Sequence, residues 1–469
     1  MGGRVERDSL GPLEVPMAAL YGIQTQRALD NFPISGQGPH SDLIWATVIV
    51  KKAAALANSR SGNLEEVLAG AICAAADEIL DQGRWLDQFV VDRFQAGAGT
   101  SHNMNANELL ANRANELLGG ERGTYRPVHP NDHVNMSQSS NDAFPTMTRL
   151  AVLRAWQRTR GALTRLAEAL AVREAEFAGV VKPGRTHLQD AVPIRLGQEF
   201  GAYRVTVDKA IAAIESVAIP LHRVNLGASA VGTGMNASPD YRWEVLKALR
   251  ELTGWELGTP QDYFQVTQSA DDFVRFSGAL RGLAVELAKL ADDIRLLSSG
   301  PRSGFGDIQL PAVQPGSSIM PGKVNPVMAE MLDMVCFQVI GNDLAVALAG
   351  MNGQIDLNVF VPLIANVLPS SLGLLENAVH AFTDRCVRGL TADPARLAEA
   401  AARDTALATA LAPLIGYERA TDVAKRAQQE GITVREAALA EGVLDEAAID
   451  RALDLTRLTE PGRAPQSTA

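Results

Sequence analysis

Cysteine is scarce, with only Cys73, Cys336 and Cys386 in the whole chain. That excludes a disulfide framework and a structural zinc site, which need several thiols at short spacing. Aromatic residues reach 5%, which suits helices packed through Ala and Leu better than a β-sandwich. Positive charge is in deficit: 43 Lys and Arg stand against 54 Asp and Glu, a net charge of −11. A nucleic-acid or anionic-membrane partner needs a basic face and is disfavoured. The opening MGGRVERDSLG lacks the apolar core of a leader, and no later run approaches roughly 18 uninterrupted apolar residues. With 46% hydrophobic and 21% charged residues the chain can bury a large core. The expected setting is a soluble protein of the cytoplasm.

The 469 residues amount to about three domains' worth of chain. Residues 1–138 mix short segments with turn signals, and hold helical stretches near Leu43–Asn58 and Leu64–Asp81. Residues 139–393 carry long helical patterns with few breakers. The clearest is Phe273, Phe276, Leu280, Leu283, Leu287, Leu290, Ile294 and Leu297, whose spacings alternate three and four. A helix of that pattern, about 35 residues and about 50 Å long, needs other long helices as cover. Candidates run over residues 150–177, 194–222, 327–348 and 361–386. The expected class is mainly α, with five long helices in a bundle shared between subunits. Residues 394–469 read as a small C-terminal domain of short helices whose tail frays from Pro461.

Four polar breaks, three of them with glycine, interrupt this background: GAGTSHNMN (97–105), HPNDHVNMSQSSND (129–142), GRTHLQD (184–190) and GSSIMPGKVNP (316–326). Each is expected to lead into a helix. Asn325 before Pro326 reads as a cap followed by a proline at the first helical position. The positive end of that helix then faces Ser317, Ser318 and Lys323. Helix starts bearing hydroxyl and amide donors bind anions, and several of them with one lysine and one histidine suggest a small dicarboxylate. No Walker sequence is present, and Gly97-x-Gly99 lacks the third glycine of a dinucleotide fingerprint. Neither a nucleotide nor a metal is expected.

Plainer readings compete at every position. Ser, Thr and Asn before helices are most often simple caps. Lys323 alone reads as a solvated charge, and His187 alone as a satisfied polar residue. His129 and His133 have the spacing of two metal ligands on a helix, but Pro130 and Asp132 make the stretch a turn. The cysteines sit in apolar helical contexts and read as inert.

Taken together, the motifs are identifiable. GSSIMPGKVNP resembles the signature loop of the fumarase/aspartase superfamily. The chain is similar to that family also at GAGTSHNMNANE, HPNDHVNMSQSSND, GRTHLQDAVPIRLGQEF and GASAVGTGMN, over nearly its whole length. The resemblance is to the class II fumarase and aspartate ammonia-lyase branch. It implies a mainly helical three-domain subunit whose five-helix bundles associate in a homotetramer, with active sites built from three subunits and no cofactor. The implied reaction is reversible anti-elimination from a succinate-type substrate to fumarate. Ser317 resembles the base that removes the Cβ proton, a role that needs nearby positive charge and backbone N–H groups. Lys323 and Asn325 resemble the groups that stabilise the aci-carboxylate. His187 is implied in the catalytic group, with Glu330 as its carboxylate partner. Thr100, Ser139, Ser140, Asn141, Thr186 and Ser318 match substrate-binding positions. Arg126, His129, Asn131 and Asp132 resemble a second anion site, and residues 300–323 a mobile lid.

The leaving group is signalled both ways. AGAGTS, Tyr21-Gly22, IRLLSSGP and KVNPVMAE look like aspartase, whereas Ser139-Ser140-Asn141, QTQRA, the HPND turn and Asn352-Gly353 followed by LNVF look like fumarase. More of the chain points to ammonia, giving L-aspartate ammonia-lyase, with fumarate hydratase acting on L-malate as the alternative.

Overall fold

The computed structural model describes residues 2–462, so most of the tail expected to fray lies outside the described residues. Helices dominate. The strands among the described residues form three two-stranded antiparallel sheets: Gly3–Asp8 with Gly11–Pro16, Val181–Thr186 with Gln189–Arg195, and Ile308–Gln309 with Thr391–Ala392. The fold is mainly α, of the helical-bundle type.

The five long helices lie at Ser140–Glu176, Leu196–Ala218, Asp271–Leu297, Val327–Met351 and Val361–Arg385, close to the expected ranges except that the first begins at Ser140 rather than near residue 150. All eight seam residues on Asp271–Leu297 are 7% exposed or less. This helix has 27 residues rather than the expected 35 or so. It stops because Ser298, Ser299 and Gly300 lead to Pro301, whose ring cannot continue a helix. Pro145 and Pro369, by contrast, lie within helices.

The chain divides into two compact units, and each long helix contributes residues to both. One unit comprises residues 1–161, 210–285 and 335–376; the other comprises 162–209, 286–334 and 377–469. In the first, helices Ser41–Arg60, Glu66–Leu80 and Thr100–Leu117 pack around Val48, Ile72, Leu109 and Leu110. Glu108 is buried there, and its carboxylate accepts from the backbone N–H groups of Gly22, Gln24 and Thr25. A carboxylate at the start of helix Ile23–Asn31 satisfies donors that otherwise have no partner. In the second unit, short helices between Pro394 and Ala452 have a small core of their own around Leu411, Val423, Val434 and Ile449. The three cysteines are free thiols. Burial pushes Cys73 up to about 11 and Cys386 up to about 12, which keeps both protonated.

Candidate active site

In the first unit, two motif segments meet. Thr100 opens helix Thr100–Leu117, and Gly99 precedes it with φ 73°. A Cβ on Gly99 would lie 2.2 Å from the Phe144 ring, so only glycine lets the two segments approach this closely. Ser139 caps helix Ser140–Glu176: its carbonyl accepts from Ala143 N–H at 2.9 Å, and its Oγ from Asn141 N–H at 3.2 Å. Asp142 returns the favour, accepting from Ser139 N–H at 2.9 Å on one oxygen. Its other oxygen accepts from Gly227 at 2.9 Å and Ser229 at 2.8 Å. Burial nevertheless pushes Asp142 up to about 6 against those bonds. The hydroxyls of Thr100 and Ser140 lie 3.1 Å apart. Asn141 Nδ2 donates to Ala230 O at 2.8 Å. Pro145 has no N–H to offer the Asn141 carbonyl, which lies instead 3.5 Å from Asn225 Nδ2. Thr100, Ser139, Ser140 and Asn141 thus form one polar edge at two adjacent helix starts.

In the second unit, the third break departs from expectation. Thr186 ends one strand, Gln189 begins the next, and His187 and Leu188 make a two-residue tip with φ 57° and 59°. No helix begins there. Val181, Val192 and Ile194 favour strands, and Pro183 and Pro193 oppose helix. Positive φ at both tip positions is the geometry usually given to Asn-Gly, and non-glycine residues hold it at a cost of roughly 1–2 kcal/mol each. Such an outlier at an exposed histidine is a mark of a functional position.

The fourth break is an exposed loop around an open cleft of about 430 Å³, lined among others by Pro315, Ser317, Met320 and Lys323. Gly316 N–H donates to Lys323 O at 3.0 Å, and a Cβ on Gly316 would lie 2.2 Å from that oxygen. Ser317 Oγ accepts from the N–H groups of Ile319 at 3.2 Å and Met320 at 3.1 Å. Two such donors stabilise negative charge on this oxygen. Asn325 does not cap the following helix. The backbone N–H groups of Ala329 and Glu330 bond to Pro326 O, so the helix starts one residue later than expected. Asn325 Nδ2 is used instead to close the loop on Gly316 O at 2.6 Å. Glu330 lies in the first turn of helix Val327–Met351, and among the described residues no ion pair joins it to His187 within one chain. Ser318 and Lys323 are exposed.

Residues 130–134 form a single wide helical turn. His129 Nδ1 accepts from Asn131 and Asp132 N–H, and His133 Nδ1 from His129 N–H at 2.8 Å. Both rings are committed to the local backbone. Among the described residues no group of three or more His, Cys, Asp or Glu could hold a metal ion. His129 and Asn131, with Arg7, Arg27 and Tyr125, line a cleft of about 460 Å³ in the same unit. Arg126 and Asp132 are exposed beside it.

Sequence reasoning missed the supports of the histidine hairpin. Lys182, 1% exposed at its side chain, donates to both Glu199 oxygens at 2.8 Å and pairs with Asp307 at 2.9 Å. Arg185 grips Asp307 through two bonds of 2.6 and 3.2 Å, and its guanidinium lies 4.3 Å from the centre of the Phe305 ring. Burial pushes Glu199 above the usual carboxylate range, opposed by Lys182. The basic residues within KPGRTH carried a faint signal, but nothing in the pattern linked them to Asp307.

The chain is similar over nearly its whole length to known proteins. Residues 11–341 match a family model described as Lyase, and residues 407–460 match one described as Fumarase C C-terminus. The chain is 46% identical over 461 residues to an aspartate ammonia-lyase of a Bacillus species, covering 98% of both chains. It is 45% identical over 459 residues to a class II fumarate hydratase of Brucella suis, covering 98% of this chain and 99% of that one. Among solved structures, a fumarate lyase:delta crystallin from Brucella melitensis bound to cobalt superposes with a TM-score of 0.94. It is 50% identical, covering 98% of this chain and 100% of that chain. The chain therefore belongs to the fumarase/aspartase superfamily of lyases.

Proposed function

We propose that the protein converts L-aspartate reversibly to fumarate and ammonia. The observation that carries the fumarate-forming reading is the meeting of Thr100 with Ser139–Asn141 at two helix starts, which offers hydroxyl, amide and N–H donors to a carboxylate. Ser317 removes a proton from Cβ, its oxygen supported by the two N–H groups that point at it. The electron pair left on Cβ moves into the adjacent carboxylate, where Lys323 and Asn325 stabilise the aci-carboxylate. Collapse of that species forms the double bond and expels the amine from Cα. Thr186 and Ser318 complete substrate binding, and His187 with Glu330 of another subunit assists the departing group. Arg126, His129, Asn131 and Asp132 serve as a second anion site.

Ammonia is preferred on the AGAGTS, Tyr21-Gly22 and KVNPVMAE segments. The second reading, hydration of fumarate to L-malate, is favoured by Ser140, a serine where aspartases usually carry threonine. Relatives of both kinds are equally similar. The experiment is direct: the purified protein is given L-aspartate and L-malate separately and fumarate absorbance is followed. We expect turnover of aspartate. Turnover of malate alone establishes the second reading, and turnover of neither removes both.

The working form is a homotetramer in the cytoplasm. Helix Val327–Met351 supports this: Met334, Phe337, Leu344, Leu348 and Met351 are exposed, with Gly341 completing a spacing of three and four. Such a seam requires another helix face.

A further inference from the structure

We propose that Lys51 is a positioning residue that holds the starts of two helices, at Thr100 and at Ser139–Asn141, in register for a dicarboxylate. This rests on reading those residues as the substrate edge. Lys51 lies on helix Ser41–Arg60 and is fully buried, where a cation is costly unless it is held. Its Nζ donates to Asn135 Oδ1 at 3.1 Å and to Gln138 Oε1 at 2.9 Å. Asn135 Oδ1 also accepts from Asn103 Nδ2 at 3.0 Å and Asn107 Nδ2 at 3.2 Å, both on the helix that Thr100 opens. Gln138 directly precedes the Ser139 cap, and its Nε2 donates to Val134 O and Met136 O. One ammonium therefore joins three segments: its own helix, the Thr100 helix through Asn135, and the lead into Ser139 through Gln138. It does so from within the core, and among the described residues no hydrogen bond joins it directly to the proposed substrate edge.

The charge of this group is adjustable. Burial lowers Lys51 to about 7, opposed by the buried carboxylate of Asp142. His102 also feels Lys51, but burial holds it down to about 3, so it stays neutral through the working range. Loss of the lysine proton weakens both charge-assisted bonds to the amide oxygens. Dicarboxylate affinity should then decline as pH rises through about 7.

The test measures KM and kcat between about pH 6 and pH 8.5, with whichever of L-aspartate and L-malate the full-length protein turns over. Variants are Lys51→Met, Asn141→Ala, and Lys52→Met, which removes a neighbouring ammonium paired with Asp77. Lys51→Met should raise KM about tenfold or more, in line with losing charged hydrogen bonds, with a much smaller change in kcat. It should also abolish the rise of KM above neutrality. Lys52→Met should change neither constant, and Asn141→Ala should raise KM at every pH. A wild-type KM and pH profile in Lys51→Met, with KM raised in Asn141→Ala, overturns the role of Lys51 and leaves the substrate edge standing. An unchanged KM in Asn141→Ala overturns the edge and this inference with it. Should Lys51→Met fail to fold, Asn135→Asp replaces it: a carboxylate beside the ammonium should move the KM rise to higher pH, and an unmoved rise overturns the proposal.

Discussion

At Gly99 a single hydrogen atom decides where the Thr100 helix can start. The residue combines φ 73° with a Phe144 ring that would lie 2.2 Å from any Cβ. Phe144 is fully buried and carries the first turns of helix Ser140–Glu176, so it cannot yield without moving Ser140. Gly99→Ala should therefore cost about 3 kcal/mol, more than backbone strain alone, because overpacking adds to it. Urea unfolding would check this, and a loss below about 1 kcal/mol would show that the ring relaxes freely. Some of this scale was legible in the sequence. Ser139 was readable as a cap because a serine ahead of a helical run is a local signal. The true use of Asn325 was not, because its partner, Gly316 O, is chosen by how the loop folds back on itself. The strain at His187 and Leu188 was equally hidden, since neither residue advertises positive φ.

The histidine hairpin illustrates the scale of elements. Its tip is exposed and strained, so it needs rigid footing, and Asp307 supplies it by accepting from both Lys182 and Arg185. Asp307 and Lys182 are nearly inaccessible to water. Removing one member of a buried charge cluster leaves the others uncompensated, so Asp307→Asn should destabilise the protein by about 3 kcal/mol. It should also lower kcat/KM, because the tip carrying His187 loses its post. Denaturation with steady-state kinetics checks both, and unchanged values would show that Glu199 alone suffices for Lys182. Long helices were legible because an apolar repeat of three and four is written locally, as Phe273 to Leu297 shows. The hairpin was not, because GRTHLQD looks like any polar break and its strand partners are set by tertiary contacts.

For the whole molecule, helix Val327–Met351 presents a contradiction that the proposed assembly would resolve. By length and composition it is apolar enough to cross a membrane, yet 22% of its most apolar window is buried within one chain. It also carries Glu330, Asp333 and Asp343, and Asp343 accepts from Ser277 at 2.6 Å, which suits a protein partner better than lipid. Phe337 and Leu344 are 59% and 63% exposed and lie on one face with Gly341, where a neighbouring helix could come close. The double variant Phe337→Glu, Leu344→Glu replaces exposed side chains, so the single chain should keep its helical circular dichroism. Introduced charges facing their own copies cannot be desolvated together, so the assembly should fall from tetramer to smaller species by light scattering. If the site is shared among subunits, fumarate formation should be lost with it. A double variant that keeps both its mass and its activity would place the subunit contact on another face, and a wild-type protein active as a monomer of 50.0 kDa would abolish the shared site altogether.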